Sequence, residues 1–115
     1  MWRDDALLLD ILLAAEDARE FARGLDWAAF SASKLHQSAI IRCLEVIGEA
    51  SATISTEFQQ HHPEIPWREI VGMRNRLIHA YKVVRLDIVW EVVQSDLRPL
   101  IDTLRPLIPT EGERA

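Results

Sequence analysis

Four stretches of the sequence place apolar residues three and four positions apart, and this spacing limits how the chain can fold. Residues at this spacing lie on one face of an α-helix and can be buried together. No segment alternates apolar and polar residues as a half-buried strand does. The sequence therefore predicts an all-α fold, an antiparallel bundle of about four helices. The first stretch shows the pattern with Leu8, Ile11, Leu12, Ala15, Ala18 and Ala22.

Capping residues set the ends of the first two predicted helices. The Asp4-Asp5 pair offers carboxylates to cap the first helix and to stabilise its dipole, and Gly24 is placed to end it. After a short connecting segment, Ser31 or Ser33 can cap a long second helix. The apolar pattern extends that helix to about Gln59.

Proline marks the limits of the other two predicted helices. The segment His61–Pro66 breaks the chain, and its last residue suits the first turn of a third helix from Trp67 to about His79. Asp87 is placed to cap a fourth helix. Within that helix Pro99 removes a backbone donor and is expected to cause a kink.

Length and cysteine content indicate one domain in a reducing compartment. A chain of 115 residues fits a single domain, with an ordered core over about residues 4–109. The one cysteine, Cys43, allows no intrachain disulfide. The apolar stretch near the N-terminus is interrupted by acidic residues and is too short to span a bilayer. We therefore expect a cytoplasmic protein with no membrane partner.

The charge distribution favours a local anion site on an acidic protein. The net charge is −5, whereas a protein that binds nucleic acid usually needs a basic surface. Residues 61–85, however, carry a charge of +3, and the rest of the chain carries −8. Arginine supplies 11 of the 13 basic residues, and its planar guanidinium can bind a phosphate through two N–H groups.

The densest polar cluster lies where the third predicted helix ends, at residues 74–81. On an ideal helix Arg74 and Tyr81 lie on nearly the same face, whereas Arg74 and His79 diverge by about 140°. The arginine and the histidine can converge on one substrate only if the helix loosens at its end or if two copies meet across a two-fold axis.

Such an arrangement suits the cleavage of RNA. His79 could remove the proton of a ribose 2′-hydroxyl, and Arg74 could stabilise the negative charge that develops on the phosphate. Tyr81 could bind a phosphate, stack on a base or accept a modification. From spacing alone, a structural histidine at a helix end is more common than a catalytic one.

The cluster is one of several motifs that occur in order over about Asp4 to Leu104. Its own pattern is Arg-x-x-x-x-His-x-Tyr, formed by Arg74, His79 and Tyr81. The other segments are Leu9-Asp10-Ile11-Leu12, Ile47-Gly48-Glu49-Ala50, Pro63-Glu64-Ile65-Pro66-Trp67, Gly72-Met73-Arg74-Asn75 and the stretch from Val89-Trp90 to Asp96-Leu97. Together these motifs resemble those of HepT toxins, which belong to the HEPN superfamily of all-helical ribonucleases.

The resemblance implies a homodimeric, metal-independent endoribonuclease toxin that cleaves RNA and needs no cofactor of its own. Its cleft would be built from Arg74 and His79 of both subunits. The resemblance also implies a partner antitoxin, the nucleotidyltransferase MntA, which uses ATP to attach AMP to Tyr81. Each AMP would fill the cleft and compete with RNA for the arginines. Four tryptophans and long apolar stripes independently favour a homodimer.

Three further residues have predicted supporting roles in the site. Asn75 could orient a phosphate or the histidine, Arg76 could face a partner, and Glu49 could support the site from the second helix. A simpler interpretation of Glu49 is that it forms a surface ion-pair ladder with Arg42 and Glu45, because the three are spaced three and four residues apart.

The sequence also bears on a metal site and on two non-catalytic functions. A metal site is not predicted, because the side chains of the adjacent His61 and His62 diverge and no third ligand is spaced to complete a site. The alternative to an enzyme is a non-catalytic HEPN-like dimer that binds a nucleotide or a protein, with Arg74 and His79 as an anion pocket. A purely structural dimerisation module is a third possibility.

Overall fold

Helices account for the regular structure of the chain, as the spacing of apolar residues predicts. The computed structural model describes residues 2–78 and 84–109, and these two ranges contain no strand. The elements are α1 (Trp2–Ala22), α2 (Trp27–Ala32), α3 (Lys34–Thr53), α4 (Thr56–His61), α5 (Trp67–Ile78), α6 (Leu86–Glu91), a π-helical turn (Val92–Asp96), α7 (Leu97–Leu104) and a 3₁₀ turn (Arg105–Leu107).

The long helices pack as a bundle around one core. Helix α3 packs against α1 and α5, and α7 packs against α1. Asp4 at the start of α1 contacts Ser55 just beyond α3, so these two helices are antiparallel. The largest fully buried side chains come from every α-helix except α4, from the π-helical turn and from the segment before α5: Leu8, Ile11, Phe30, Ile40, Leu44, Ile47, Ile65, Leu77, Val89, Val93, Leu97 and Leu104.

The first connection contains a short helix that the sequence interpretation missed. Gly24 follows the end of α1 with a φ of +78°, which confirms its predicted role, because glycine adopts this left-handed conformation without strain. Helix α2 then begins after Asp26, whose carboxylate accepts a 2.8 Å hydrogen bond from the N–H of Ala29. Phe30 anchors this short helix in the core.

The prediction of one long second helix to about Gln59 was wrong, because the chain breaks after Thr53. Ser33 caps α3 as predicted, but Ser55 then acts as the N-cap of α4. The N–H of Ser55 donates to Asp4 Oδ1 at 3.0 Å, and its hydroxyl donates to Asp4 Oδ2 at 2.7 Å. Asp4 lies in the first turn of α1, but its carboxylate caps no N–H of that helix, which corrects the predicted capping role.

The third and fourth predicted helices begin close to their expected positions. Helix α5 starts at Trp67, and it is described as far as Ile78. Helix α6 starts at Leu86, so Asp87 lies inside its first turn. The prediction that Asp87 caps this helix was wrong. The carboxylate of Asp87 instead accepts two hydrogen bonds from the Arg85 guanidinium, at 3.0 and 2.7 Å.

The irregularity expected from Pro99 is a wide turn that lies just before the proline. In Val92–Asp96 the helix is π-helical, and the N–H of Leu97 donates to the carbonyl of Val92, five residues back. Pro99 has no N–H to donate to a carbonyl of this turn. The carbonyl of Val93 accepts a 3.2 Å hydrogen bond from Arg19 Nη1 and thereby ties the turn to α1.

Some large apolar side chains remain on the surface. Leu13, Phe21, Trp27 and Leu35 are each at least 40% exposed. Exposed apolar area of this kind is compatible with a partner subunit, but the homodimer stays a prediction. Over residues 2–78 and 84–109, no helix is both long and apolar enough to cross a bilayer.

Candidate active site

The structure describes the arginine half of the predicted site. Arg74 and its neighbours Asn75 and Arg76 lie near the end of α5, and Glu49 lies on α3. His79 and Tyr81 lie outside the described residues. The contacts that define the site are therefore those around Arg74.

Arg74 lies in the seam between α3 and α5. The aliphatic part of its side chain lies directly on the backbone of α3 at Gly48. Its Nε atom is buried, while the side chain as a whole is 34% exposed. The terminal guanidinium nitrogens are thus the part of the charged group that can meet a ligand.

A single carboxylate lies between two arginines in this seam. Glu49 Oε1 is 3.8 Å from Arg74 Nη2 and 4.0 Å from Arg42 Nη1. Contacts of this length at half-exposed groups contribute little to stability. One carboxylate facing two guanidinium groups leaves a positive charge available for an anion. We call this group, formed by Arg42, Gly48, Glu49 and Arg74, the α3–α5 seam.

The ion pairs in the seam differ from the predicted surface ladder of Arg42, Glu45 and Glu49. The pair that forms on α3 joins Arg42 to Glu49, which lie seven residues apart, and the second arginine comes from α5. Glu49 therefore contacts the key arginine, as its predicted supporting role requires. The spacing along α3 could not indicate this contact, because the partner lies on another helix.

Asn75 and Arg76 are both exposed at the end of α5. Arg76 lines a cavity of about 520 Å³ between α5 and α7, together with Met73 and Leu100. This position agrees with the interpretation of Arg76 as a surface charge. The proposed contact of Asn75 with a phosphate or with the histidine stays a prediction.

The histidines before α5 have separate protein partners. His61 Nδ1 lies 2.8 Å from the carbonyl of Glu57, and His62 Nδ1 lies 3.1 Å from Glu64 Oε2. Hydrogen bonds from its own backbone N–H and from His62 lower the pKa of Glu64. Within the described ranges, no group of three His, Cys, Asp or Glu side chains is arranged to hold a metal ion.

A second arginine-rich region, which sequence reasoning missed, lies on another face of the bundle. A cavity of about 590 Å³ between α1 and α7 is lined by Arg19, Arg23, Arg98 and Arg105, together with Glu16 and Glu20. We call it the α1–α7 cleft. Its arginines come from sequence positions far apart, so no local charge run in the sequence indicates it.

The arginines of the α1–α7 cleft are already bound within the protein. Arg23 pairs with Glu20 at 2.7 Å, and Arg98 pairs with Asp102 at 3.4 Å. Arg105 pairs with Glu16 of α1. The fourth arginine donates to a carbonyl of the π-helical turn. This cleft has less free positive charge than its arginine content suggests.

Comparisons with known proteins agree with the motifs around the seam. The family model described as Ribonuclease HepT-like matches residues 11–107. A protein of Thermococcus cleftensis named "Probable ribonuclease HepT" is 46% identical over 93 residues, which cover 81% of this chain and 84% of that protein. No solved structure matches the chain.

Two further relatives carry RNase names. A Methanocaldococcus jannaschii protein is 42% identical over 92 residues, which cover 80% of this chain and 84% of that protein. A Caldanaerobacter subterraneus protein is 34% identical over 101 residues, which cover 88% of this chain and 90% of that protein. The chain therefore belongs to the HepT-like ribonuclease family, and its predicted enzyme class, an endoribonuclease, is confirmed by that membership.

Proposed function

We propose that this ribonuclease is the toxin of a toxin–antitoxin pair and that it cleaves RNA, without a metal, in a cleft shared by two subunits. The observation that carries the proposal is the way in which the Arg74 side chain is held against α3. Its stem is packed on α3, its Nε is buried, and its terminal nitrogens share one carboxylate with Arg42. This arrangement leaves a fixed positive group for a phosphate.

The proposed reaction uses the ribose of the RNA as the nucleophile. His79 of one subunit takes the proton from the 2′-hydroxyl, and the 2′-oxygen attacks the adjacent phosphorus. The bond from phosphorus to the 5′-oxygen breaks, and the leaving oxygen takes a proton from the second His79. Arg74 stabilises the extra charge on the phosphate oxygens. The products are a 2′,3′-cyclic phosphate and a 5′-hydroxyl.

Two subunits are needed in this proposal because of helix geometry. On an ideal helix, five positions correspond to a rotation of about 140°, so an arginine and a histidine at the spacing of Arg74 and His79 would point apart. A two-fold axis beside the end of α5 would bring the arginine of one copy near the histidine of the other. The exposed apolar side chains, which lie on α1, α2 and α3, support self-association of the bundle without placing the two-fold axis.

Tyr81 is the proposed control point. A nucleotidyltransferase antitoxin of the MntA type would transfer AMP from ATP: the tyrosine oxygen, which loses its proton, bonds to the α-phosphorus of ATP, and the bond from that phosphorus to pyrophosphate breaks. The added phosphate and base would occupy the cleft and pair with its arginines. Co-expression with such a partner is expected to add AMP to the intact mass, and Tyr81→Phe should remove that increment.

The central test is RNA cleavage by the purified protein in a chelator. Labelled RNA should be cut to products with cyclic phosphate ends, and His79→Ala should abolish cutting while light scattering still gives a dimer. Strict dependence on an added metal would contradict the mechanism. Binding of RNA or nucleotide without any cleavage products would instead favour the non-catalytic dimer.

A further inference from the structure

Gly48 on α3 faces Arg74 on α5 where the two helices are in contact. A Cβ atom on Gly48 would lie 2.7 Å from Arg74 Cβ and 2.8 Å from Arg74 Cδ. Real Cβ atoms essentially never approach other heavy atoms this closely. Because the backbone of α5 fixes the position of Arg74 Cβ, that atom cannot move aside as the end of a flexible side chain could. A side chain at position 48 would therefore move the helix or the arginine.

The seat on Gly48 also determines which part of Arg74 faces outward. The Nε atom is buried and has no hydrogen-bond partner among the described residues. Glu49, the next residue on α3, lies 3.8 Å from the terminal Nη2. The aliphatic part of the side chain is thus held against α3, and the terminal Nη2 lies beside the half-exposed carboxylate of Glu49. An arginine held in this way has few alternative orientations to lose when it binds a phosphate.

We propose that Gly48 is a positioning residue for Arg74, and that the missing side chain at this position sets the guanidinium in its working orientation. The inference rests on the proposed role of Arg74 in RNA cleavage. Displacement of a catalytic group by about 1 Å can reduce a rate about 100-fold, because the transition state needs a fixed geometry. Gly48 touches no substrate in this proposal and acts only through Arg74.

The chain offers a matched control for this glycine. Gly72 lies on α5, two residues before Arg74, and a Cβ placed there would meet nothing within 4 Å. Both glycines lie inside helices, where alanine is the better helix former. Gly48 is buried and Gly72 is partly exposed, and the same substitution brings a Cβ against Arg74 only at position 48.

The first measurement compares the steady-state cleavage of RNA by Gly48→Ala and Gly72→Ala. Gly48→Ala should lower kcat by about 10-fold to 100-fold while KM changes little, because the displaced group acts on the transition state. Gly72→Ala should keep the wild-type kcat. Wild-type kcat in Gly48→Ala would overturn the inference, and so would an equal loss in both variants.

The second measurement follows hydrogen exchange at Arg74 Nε, which reports how the side chain is held and does not depend on RNA cleavage. In a ¹H–¹⁵N spectrum of arginine side chains, the Nε–H of Arg74 can be assigned by its disappearance in Arg74→Lys. Because this Nε is buried, its hydrogen should exchange with water more slowly than those of exposed arginines. The slow exchange should persist in Gly72→Ala and be lost in Gly48→Ala.

The spectrum separates failure of the inference from failure of the proposed function. If the wild-type protein cuts no RNA but the exchange pattern is as expected, the proposed function falls and the role of Gly48 in seating Arg74 stands. If Arg74 Nε–H exchanges as fast as exposed arginines in the wild-type protein, the inference is wrong. That wild-type result decides the matter even if Gly48→Ala does not fold.

Discussion

The α3–α5 seam and the α1–α7 cleft both gather arginines, but they differ in how those arginines are neutralised. In the cleft, Arg23 and Arg105 each have a carboxylate of their own. In the seam, Glu49 alone faces Arg42 and Arg74, at 4.0 and 3.8 Å. The number of arginines in a region is therefore a poor guide to its affinity for anions. The charge that is left unpaired matters more.

Arg74 also differs from Arg23 and Arg105 of the cleft in the freedom of its side chain. The Arg74 side chain is 34% exposed, whereas those of Arg23 and Arg105 are 78% and 58% exposed. An exposed arginine is screened by water and salt, and ordering it costs side-chain entropy. A half-buried arginine with a packed stem is less screened and already ordered. The seam is thus the better place to stabilise a transition state.

The largest effect that this comparison predicts is on catalysis. Arg74→Ala should lower kcat by about 100-fold to 1000-fold, the range seen when a group that stabilises transition-state charge is removed. Arg105→Ala, in the cleft, should leave kcat within about twofold of wild type, because surface pairs contribute little. Single-turnover cleavage of labelled RNA by both variants gives the comparison, with circular dichroism to verify that each folds. Equal losses in the two variants would remove the distinction between the regions.

The next effect concerns the contact between α1 and the break after α3, where neutral donors hold a carboxylate. Asp4 is buried, and burial alone would raise its pKa, but hydrogen bonds from the hydroxyl and N–H of Ser55 outweigh burial and hold the pKa below its ordinary value of 3.8. A carboxyl with a lowered pKa in the folded state stabilises the fold above its unfolded pKa. That contribution is lost as the pH falls through the lower, folded-state pKa.

Asp4→Ala should therefore lower the free energy of unfolding at pH 7 by about 1–3 kcal/mol, because Ser55 loses a charged acceptor. Urea unfolding at pH 7 and near pH 3 should show a smaller loss of stability on acidification in this variant than in the wild-type protein. The same acid sensitivity in both proteins would show that Asp4 does not carry it. Glu57→Ala, an exposed change on α4, is a suitable control.

The features that the sequence predicted well depend on neighbours in the chain. Gly24 ends α1 and Ser33 caps α3 because each acts on backbone groups within a turn of itself, and Pro66 directly precedes the start of α5. The break before α4 escaped prediction because Asp4, which fixes Ser55, lies 51 residues away. Apolar periodicity continues across the break and gives no sign of it.

The same division holds at the candidate site. The motif around Arg74 identified the arginine and Glu49, but the sequence could not reveal that both lie in one seam with Arg42. Gly48 belongs to the motif Ile47-Gly48-Glu49-Ala50, but the sequence assigned it no role, because the residue that a side chain at position 48 would contact lies on another helix. The α1–α7 cleft was not predicted for the same reason, because its residues Glu16 and Arg105 are 89 positions apart in the sequence.

A smaller effect should appear in the salt dependence of RNA binding. In a His79→Ala background, which is expected to bind without cutting, Arg42→Ala should reduce the slope of log Kd against log salt by about 0.7, the value for one phosphate contact with a single strand. Arg98→Ala in the cleft should leave the slope unchanged, because this arginine is paired with Asp102. Fluorescence anisotropy at several salt concentrations measures both slopes. A larger change for Arg98→Ala would reverse the assignment of the two regions.

The smallest effect is expected when carboxylates are removed from the cleft. Glu20→Gln frees Arg23, and Glu16→Gln frees Arg105, so the double variant adds two unpaired positive charges to the cleft. The free energy of unfolding should change by less than about 1 kcal/mol, since exposed pairs contribute little. RNA binding should tighten and become more sensitive to salt, while kcat stays at the wild-type value. Tighter binding with unchanged kcat would show that unpaired charge governs RNA affinity and that the fixed geometry of the seam governs cleavage. Unchanged binding would mean that neutralisation of the arginines does not explain the difference between the two regions.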